Sequence, residues 1–545
     1  MVKQTVGALL DRTSECYPHK DALVYSERGL RYTYRELNLL CRQLAKGLIK
    51  LGVKKGDKLA IWAPNIPEWV IAQFAAAITG AILVTVNTNY RAMDLEYLLK
   101  QSDASTILLS DGFRGIDYIE IIYQLCPELK RAIPGQLKSK KLPYLKNVIY
   151  LGEQFFPGMY NWDQIMGLGE RVEDSELLNR EAVLDPDEVA AMMYTSGTTG
   201  YAKGVMLSHH HIVTNAWEVA AGMKLGSIDR LCLPVPFFHS LGCILGILAC
   251  VNVGAAMVPL ENFDPETVLA TLDKERCTAL HGVPTMFIAE LEHPDLGKYD
   301  LSTLRTGIIA GSACPVELMK EIVLRLGIEE ITIAYGQTEA SPVICQTRVE
   351  DPLEMRMSTV GRPLPGVEVK IVDPESDEPV PPGVQGELCT RSHFVMKGYY
   401  KMPEATGAAI DRDGWLHTGD LAIIDNQGYV RITGRIKDMI IRGGENVYPR
   451  EIEEFIFTHP KVMDVQVVGV PSPRYGEEVM AFIRLREGTS ATEEEIREFC
   501  QGKIARYKIP RYIKFVTEYP MTASGKIQKY KLTKLAIKEL GLDKQ

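Results

Sequence analysis

The sequence predicts an α/β protein in two parts. The first is a large N-terminal domain, residues 1–434, of two stacked α/β units plus a small β subdomain. The second is a small, mobile α+β C-terminal domain, residues 435–545. Three observations predict this. Helix and strand patterns alternate over residues 34–109 and again over 208–334, the rhythm of a layered architecture with a largely parallel sheet. From about Gly361, short β-rich runs are cut by Pro and Gly. After Gly434-Arg435-Ile436-Lys437-Asp438, helix and strand patterns mix in one compact stretch.

Each element has its own signal. Tyr34-Arg35-Glu36-Leu37 opens a helix whose apolar positions include Leu39, Leu40, Leu44 and Leu48. Residues 58–62 read as a strand, 67–79 as a helix and 81–86 as a strand; 94–101 and 106–109 repeat the pair. Residues 189–193 form a short apolar strand. Residues 241–260 carry no charge and are long enough to span a bilayer. Gly242, Gly246, Asn252, Gly254 and Pro259 argue instead for a buried helix to about Val251, a glycine stop and a buried strand at 255–258. Residues 331–333 lead a strand, and 367–372 and 386–390 belong to a β subdomain ending near Thr433. Pro449 suits the first turn of a helix over 451–456. Residues 465–470 and 479–483 are strands, and Thr492 with Glu495 makes a capping-box pattern ahead of Ile496.

Composition narrows the function classes. The 545 residues allow a large core. A net charge of −9 does not favour nucleic acid. Lys138-Ser139-Lys140-Lys141, between Pro134 and Pro143, reads as a solvated loop. The eleven cysteines include no CxxC pair and no metal-ligand spacing, which argues against a zinc site and for a reducing compartment. Cys243, Cys250 and Cys345 read as buried small hydrophobes. The stretch Val6-Gly7-Ala8-Leu9-Leu10, cut by Asp11, is too short for a signal peptide. The expectation is a cytoplasmic protein with no integral membrane span. Oligomeric state stays open, a homodimer included.

The chemistry concentrates in short segments. Tyr194-Thr195-Ser196-Gly197-Thr198-Thr199-Gly200-Tyr201-Ala202-Lys203 puts hydroxyls, bare backbone N–H groups and a lysine behind a strand, as polyphosphate needs. It is not a Walker A loop, because GxxxxGK followed by Ser or Thr occurs nowhere in the chain. Ala334-Tyr335-Gly336-Gln337-Thr338-Glu339 sits at a strand end, where ligands of open α/β sheets collect. Its aromatic beside glycine suits a nucleobase, and its carboxylate suits Mg²⁺ next to phosphate. Trp415-Leu416-His417-Thr418-Gly419-Asp420 offers an aspartate of the kind that grips ribose hydroxyls. Gly443-Gly444 suits a hairpin turn between strands. Pro520-Met521-Thr522-Ala523-Ser524-Gly525-Lys526 places a lysine in a turn-rich terminal loop, where taken alone a lysine is ordinarily solvated.

Together these segments resemble the signatures of the adenylate-forming superfamily: acyl-CoA synthetases, amino-acid adenylation domains and firefly-type luciferases. They run in the family's order over nearly the whole chain. The resemblance implies ATP, Mg²⁺ and coenzyme A as cofactors, with a carboxylic acid as the remaining partner. It implies that Thr195, Ser196, Gly197, Thr198, Thr199, Gly200 and Lys203 hold phosphate. Tyr335, Gly336, Gln337 and Thr338 would contact the nucleotide, Tyr335 and Gly336 at adenine and Thr338 near the α-phosphate. Glu339 would hold Mg²⁺, and Asp420 and Arg435 would meet the ribose. Lys526 would bridge the acid's carboxylate and the α-phosphate. Gly443 and Gly444 would line the pantetheine tunnel after a rotation about a hinge at Lys437. The implied catalytic set is Lys526, Glu339, Thr195 and His239.

The branch is narrowed by Phe237-Phe238-His239-Ser240. Amino-acid adenylation domains usually place an aspartate here for the substrate's ammonium, and this chain has no acidic residue until Glu261. An acid without a positive charge follows, since a buried ammonium would stay unpaired. His239 either gates and orients the carboxylate or packs in the core. Candidate pocket residues are His239, Cys243, Gly311, Ser312, Ala313 and Gly336. The expected reaction is acid–CoA ligation through acyl-AMP, with overtones of medium-chain acyl-CoA synthetases. The acid is expected to be a medium-chain fatty acid or a compact cyclic or aromatic one. Delivery of acyl-AMP to a carrier protein and a non-catalytic nucleotide-binding role are the alternatives.

Overall fold

The computed structural model describes residues 3–195 and 202–542. The phosphate-loop candidates Ser196, Gly197, Thr198, Thr199 and Gly200 lie outside the described residues.

Two large sheets form the first part. The six-stranded sheet runs through strands beginning at Lys203, Val189, Ile82, Lys58, Ala104 and Asn147. All its pairings are parallel except the hairpin of Val189–Thr195 with Lys203–Ser208. Parallel strands covered on both faces read as continuous apolar runs, and Leu59, Ala60, Ile61 and Trp62 are all buried. The nine-stranded sheet runs through strands beginning at Arg362, Val343, Glu330, Thr306, Ala279, Arg230, Ala256, Asp21 and Leu30. Asp21–Tyr25 therefore joins this second sheet, parallel to Ala256–Pro259. The two α/β units interlock, which the order of patterns along the chain did not reveal. One core fills the space between them, with Ile61 and Leu83 from one sheet and Leu233 and Met257 from the other. Trp69 and Phe74 of the helix Pro67–Thr79 are fully buried in it. Cutting either to alanine costs about 3–5 kcal/mol.

Local departures from expectation have plain causes. The helix Tyr34–Lys50 buries Leu37, Cys41, Leu44 and Leu48. Leu39, two positions from Leu37, falls on the other face and is 60% exposed. The uncharged run is a short helix Ser240–Gly242, a π-helical segment Cys243–Leu248 and a helix Ala249–Val253. Gly254, at φ 75, stops it before the strand Ala256–Pro259. Among the described residues, no helix is long and apolar enough to cross a membrane.

The β subdomain is a four-stranded antiparallel sheet with strands beginning at Glu368, Gly386, Leu416 and Val430. Its last strand runs to Arg435, and a single helical turn, Ile436–Asp438, carries Lys437. Beyond it lies a five-stranded sheet with the helices Pro449–Phe457, Glu493–Cys500 and Lys529–Glu539. Pro449 occupies the first helical turn, where its missing N–H costs nothing. Thr492 caps Glu495 N, but the Glu495 carboxylate goes to Lys461 at 2.7 Å, so the reciprocal half of the box is not made. The two parts touch through Arg486–Glu292 at 2.9 Å and through Thr285 Oγ1 donating to Gly525 O at 3.1 Å. A cavity of about 350 Å³ between Leu291, Leu318, Phe457 and Met463 leaves this contact incompletely packed.

All eleven cysteines are free, and Cys16 alone is exposed. One grouping of possible metal ligands appears among the described residues. Glu387, Cys389 and His417 gather across two neighbouring strands. Their spacing is set by sheet pairing, not by a local motif, so it carried no signal in the chain order.

Candidate active site

The hairpin that frames the phosphate-loop candidates sets Thr195 opposite Lys203. Thr195 Oγ1 donates to Glu339 Oε1 at 3.5 Å, a long contact across two sheets. Tyr399 donates to the same carboxylate oxygen at 2.8 Å. The Lys203 ammonium lies 4.4 Å from the centre of the Tyr399 ring, a cation–π contact. Burial, then the Glu339 charge, push the Tyr399 hydroxyl well above its usual range, so it stays a donor. Tyr399 was not found from sequence. Gly398-Tyr399-Tyr400 carries no chemical pattern; it is placed by Tyr400 N donating to Gly204 O at 2.8 Å, a pairing across nearly two hundred residues of chain.

Strand Glu330–Gly336 carries Tyr335 and Gly336 to its end, with Gln337 next and Thr338 buried in the following turn. Gly336 must be glycine: a Cβ there would lie 2.0 Å from Pro342 O. Tyr335 OH donates to Asp420 Oδ2 at 2.8 Å, and Arg435 Nε donates to Asp420 Oδ1 at 2.7 Å. Asp420 and Arg435 are direct cross-strand partners. Asp420 is buried, and such a carboxylate is tolerable only because it is paired and hydrogen-bonded. Its remaining lone pairs can accept from a ligand's hydroxyls.

Lys526 enters this corner from the C-terminal part. Thr522, Gly525 and Lys526 form a tight turn, with Thr522 N donating to Lys526 O at 2.7 Å and Lys526 N to Thr522 Oγ1 at 3.0 Å. The lysine stem passes directly over Gly311. Burial, then the Arg435 charge, push the ammonium down to about 8, against the opposing pull of Asp420 and Glu339. The half-buried His239 is nearby: burial, then Lys526, push its imidazole down to about 3. Leu241 N donates to His239 Nδ1 at 3.3 Å, which leaves the ring proton on Nε2. A neutral imidazole offering one N–H can orient an acid's oxygen without competing for its charge.

The other pocket candidates differ in character. Cys243 is buried, and burial lifts its thiol to about 12, so it acts as an inert small wall. Gly311, Ser312 and Ala313 follow the strand Thr306–Ala310 and are exposed. Gly443 and Gly444 form the tip of a hairpin between Ile440–Arg442 and Glu445–Val447, at φ 62 and 88. The tip is exposed, and Gly443 N donates to Tyr475 O at 2.8 Å within its own part. In this pose the C-terminal part therefore presents Lys526 to the charged corner and holds Gly443-Gly444 on its surface.

Adenylate-forming enzymes share this two-part α/β architecture. The chain belongs to the AMP-binding enzyme family: residues 10–400 match that family, and residues 451–526 match the AMP-binding enzyme C-terminal domain. YngI of Bacillus subtilis (strain 168), whose acyl-CoA synthetase name is provisional, is 59% identical over 542 residues, 99% of each chain. The mitochondrial medium-chain acyl-CoA ligase ACSF2 of Danio rerio is 44% identical over 543 residues, 99% of this chain and 89% of that one. The anthranilate CoA ligase AuaEII, solved with anthranoyl-AMP, superposes with a TM-score of 0.85 at 26% identity over 98% of each chain.

Proposed function

We propose that the protein joins a medium-chain fatty acid, or a compact cyclic or aromatic acid, to coenzyme A. As an AMP-forming acyl-CoA synthetase it uses ATP and Mg²⁺ and works through acyl-AMP. The observation that carries the assignment of roles is the approach of the Lys526 stem to Gly311, which brings its ammonium within electrostatic reach of His239, Asp420, Arg435 and Glu339.

In the first step an acid oxygen attacks the α-phosphorus of ATP and pyrophosphate leaves. Asp420, held by Tyr335 and Arg435, takes the ribose. Lys526 lies between acid and α-phosphate and neutralises charge as it builds, which is electrostatic stabilisation where the transition state needs it. His239 Nε2–H orients the acid. Mg²⁺, when bound, would neutralise phosphate charge. Glu339 fits it as a ligand, because Mg²⁺ takes one or two carboxylates and fills the rest with phosphate and water oxygens. In the second step the coenzyme A thiol attacks the acyl carbonyl and AMP leaves. The C-terminal part, residues 435–545, turns about Lys437 and brings the Gly443-Gly444 tip to the site. The partly packed contact at Arg486–Glu292 is compatible with such a turn.

The acid class is supported by ACSF2, named for medium-chain acids, and by AuaEII, named for anthranilate. A cytoplasmic location is supported by the free cysteines, ten of them buried. The test is a panel of straight-chain, cyclic and aromatic acids, with AMP release measured with and without coenzyme A. Release that needs both acid and coenzyme A supports the ligase. Acid-dependent pyrophosphate exchange without any thioester favours a carrier-directed enzyme instead, and no acid-dependent turnover at all favours a non-catalytic protein.

A further inference from the structure

The grouping of Glu387, Cys389 and His417 has no part in the reaction above. It arises from sheet pairing. Strands Gly386–Arg391 and Leu416–Ile424 are antiparallel neighbours, and Cys389 is the direct partner of His417. Glu387, two residues from Cys389, shares its face. The register then shifts, so that Glu387 pairs with Leu421 and the extra residues bulge at Gly419. The bulge turns Gly419 N onto Glu387 Oε1 at 2.9 Å. The same carboxylate thus faces the three-residue cluster with one oxygen and holds the Thr418-Gly419-Asp420 turn with the other.

The distances fit a tetrahedral ion. His417 Nδ1 lies 3.1 Å from Glu387 Oε2 and 3.4 Å from Cys389 Sγ, and the three donor atoms all lie within 4.8 Å of one another. With Zn–N and Zn–O near 2.0 Å and Zn–S near 2.3 Å, tetrahedral neighbours sit about 3.3 and 3.5 Å apart. Sulfur, imidazole and carboxylate together suit a borderline ion such as Zn²⁺ and not Mg²⁺. The other ring nitrogen, His417 Nε2, faces Asp411 Oδ2 at 3.8 Å, the outer carboxylate that metal-bound histidines commonly have. Cys389 is fully buried while the His417 side chain is 23% exposed, so solvent reaches the cluster from the His417 side. His417 Nδ1 faces both the carboxylate and the thiol, so the three donor atoms converge on one point.

We propose that Glu387, Cys389 and His417 bind Zn²⁺ at a site separate from the Mg²⁺ position, and that its occupation weakens nucleotide binding through Gly419 and Asp420. On binding, the Cys389 thiol gives its proton to solvent and the imidazole keeps one proton, on Nε2 towards Asp411. The coupling to nucleotide rests on the ribose role assigned to Asp420; the metal binding does not.

The test is anaerobic titration of the full chain with Co²⁺, followed by displacement with Zn²⁺. The expected result is one equivalent of Co²⁺ with a near-ultraviolet thiolate charge-transfer band, displaced by Zn²⁺ but not by excess Mg²⁺. Cys389→Ser removes the band, and His417→Gln weakens Co²⁺ binding at least about tenfold. Both are checked to melt like the parent without metal. In the activity arm, Zn²⁺ raises the ATP KM several-fold in the parent chain and leaves it unchanged in Cys389→Ser. Absence of a thiolate band in the parent, or its survival in Cys389→Ser, overturns the site. A Cys389-dependent band with no change in ATP KM overturns the coupling. A chain with no ligase activity that still shows the band separates failure of the functional reading from failure of the metal site.

Discussion

Gly311 and Lys526 are in contact across the two parts of the molecule: a Cβ on Gly311 would lie 3.0 Å from Lys526 Cε. Gly311 also holds φ 90, a conformation that L side chains rarely adopt. One residue of the expected acid pocket thus admits the lysine of the other part.

Gly311→Ala adds both the close contact and backbone strain, of order 1–3 kcal/mol. Acid-dependent pyrophosphate release is expected to fall about 5- to 150-fold, at roughly 1.4 kcal/mol per tenfold. Thioester formation from supplied acyl-AMP is expected to change little. Equal losses in both half-reactions would mean that Gly311 acts on the pocket as a whole and not on Lys526.

The pH profile of the first half-reaction reports the Lys526 charge. The ammonium is present below about 8 and is lost above it. The apparent kcat/KM for acid activation is therefore expected to decline as pH rises through about 8. His239 is neutral above about 3, so it contributes no acidic limb near neutrality. Lys526→Arg keeps its charge throughout and is expected to lose the alkaline decline, whatever its absolute rate. A wild-type profile that stays flat to pH 10 contradicts this.

Tyr399→Phe removes the 2.8 Å hydrogen bond that fixes Glu339. A bond to a carboxylate contributes about 1.5–3 kcal/mol. Half-saturation by Mg²⁺ is expected to rise about tenfold or more, with the melting temperature nearly unchanged. An unaltered Mg²⁺ dependence would detach Tyr399 from the site.

Acid stability follows from buried neutral imidazoles. Burial pushes His209, His211 and His281 down to about 4 and, with Lys526, His239 to about 3, from 6.5. Between those values the unfolded chain binds protons that the folded chain refuses, so stability falls as pH falls through this window. Thermal melting between pH 7 and pH 4 is expected to show a steady decline. Constancy over that range would show these histidines protonated in the fold.

The strand–helix rhythm made the layered fold legible, because a buried parallel strand and an amphipathic helix each write their period into the chain. The Asp21–Tyr25 strand was not legible as a member of the second sheet. Its parallel partner lies at Ala256–Pro259, and nothing local encodes so distant a pairing. Motifs such as Tyr335–Glu339 and Thr522–Lys526 were readable because their residues are contiguous. Tyr399 and the Glu387–Cys389–His417 group were not: an isolated bridge to Val205 places the first, and sheet register assembles the second.

The role of Lys526 is tested most directly by separating the half-reactions in Lys526→Ala. Acyl-CoA formation is measured from free acid with ATP, and separately from supplied acyl-AMP, both with coenzyme A. Formation from free acid is expected to fall at least about a hundredfold, as for removal of a transition-state donor, with near-normal formation from acyl-AMP. Wild-type rates from free acid and ATP would contradict it.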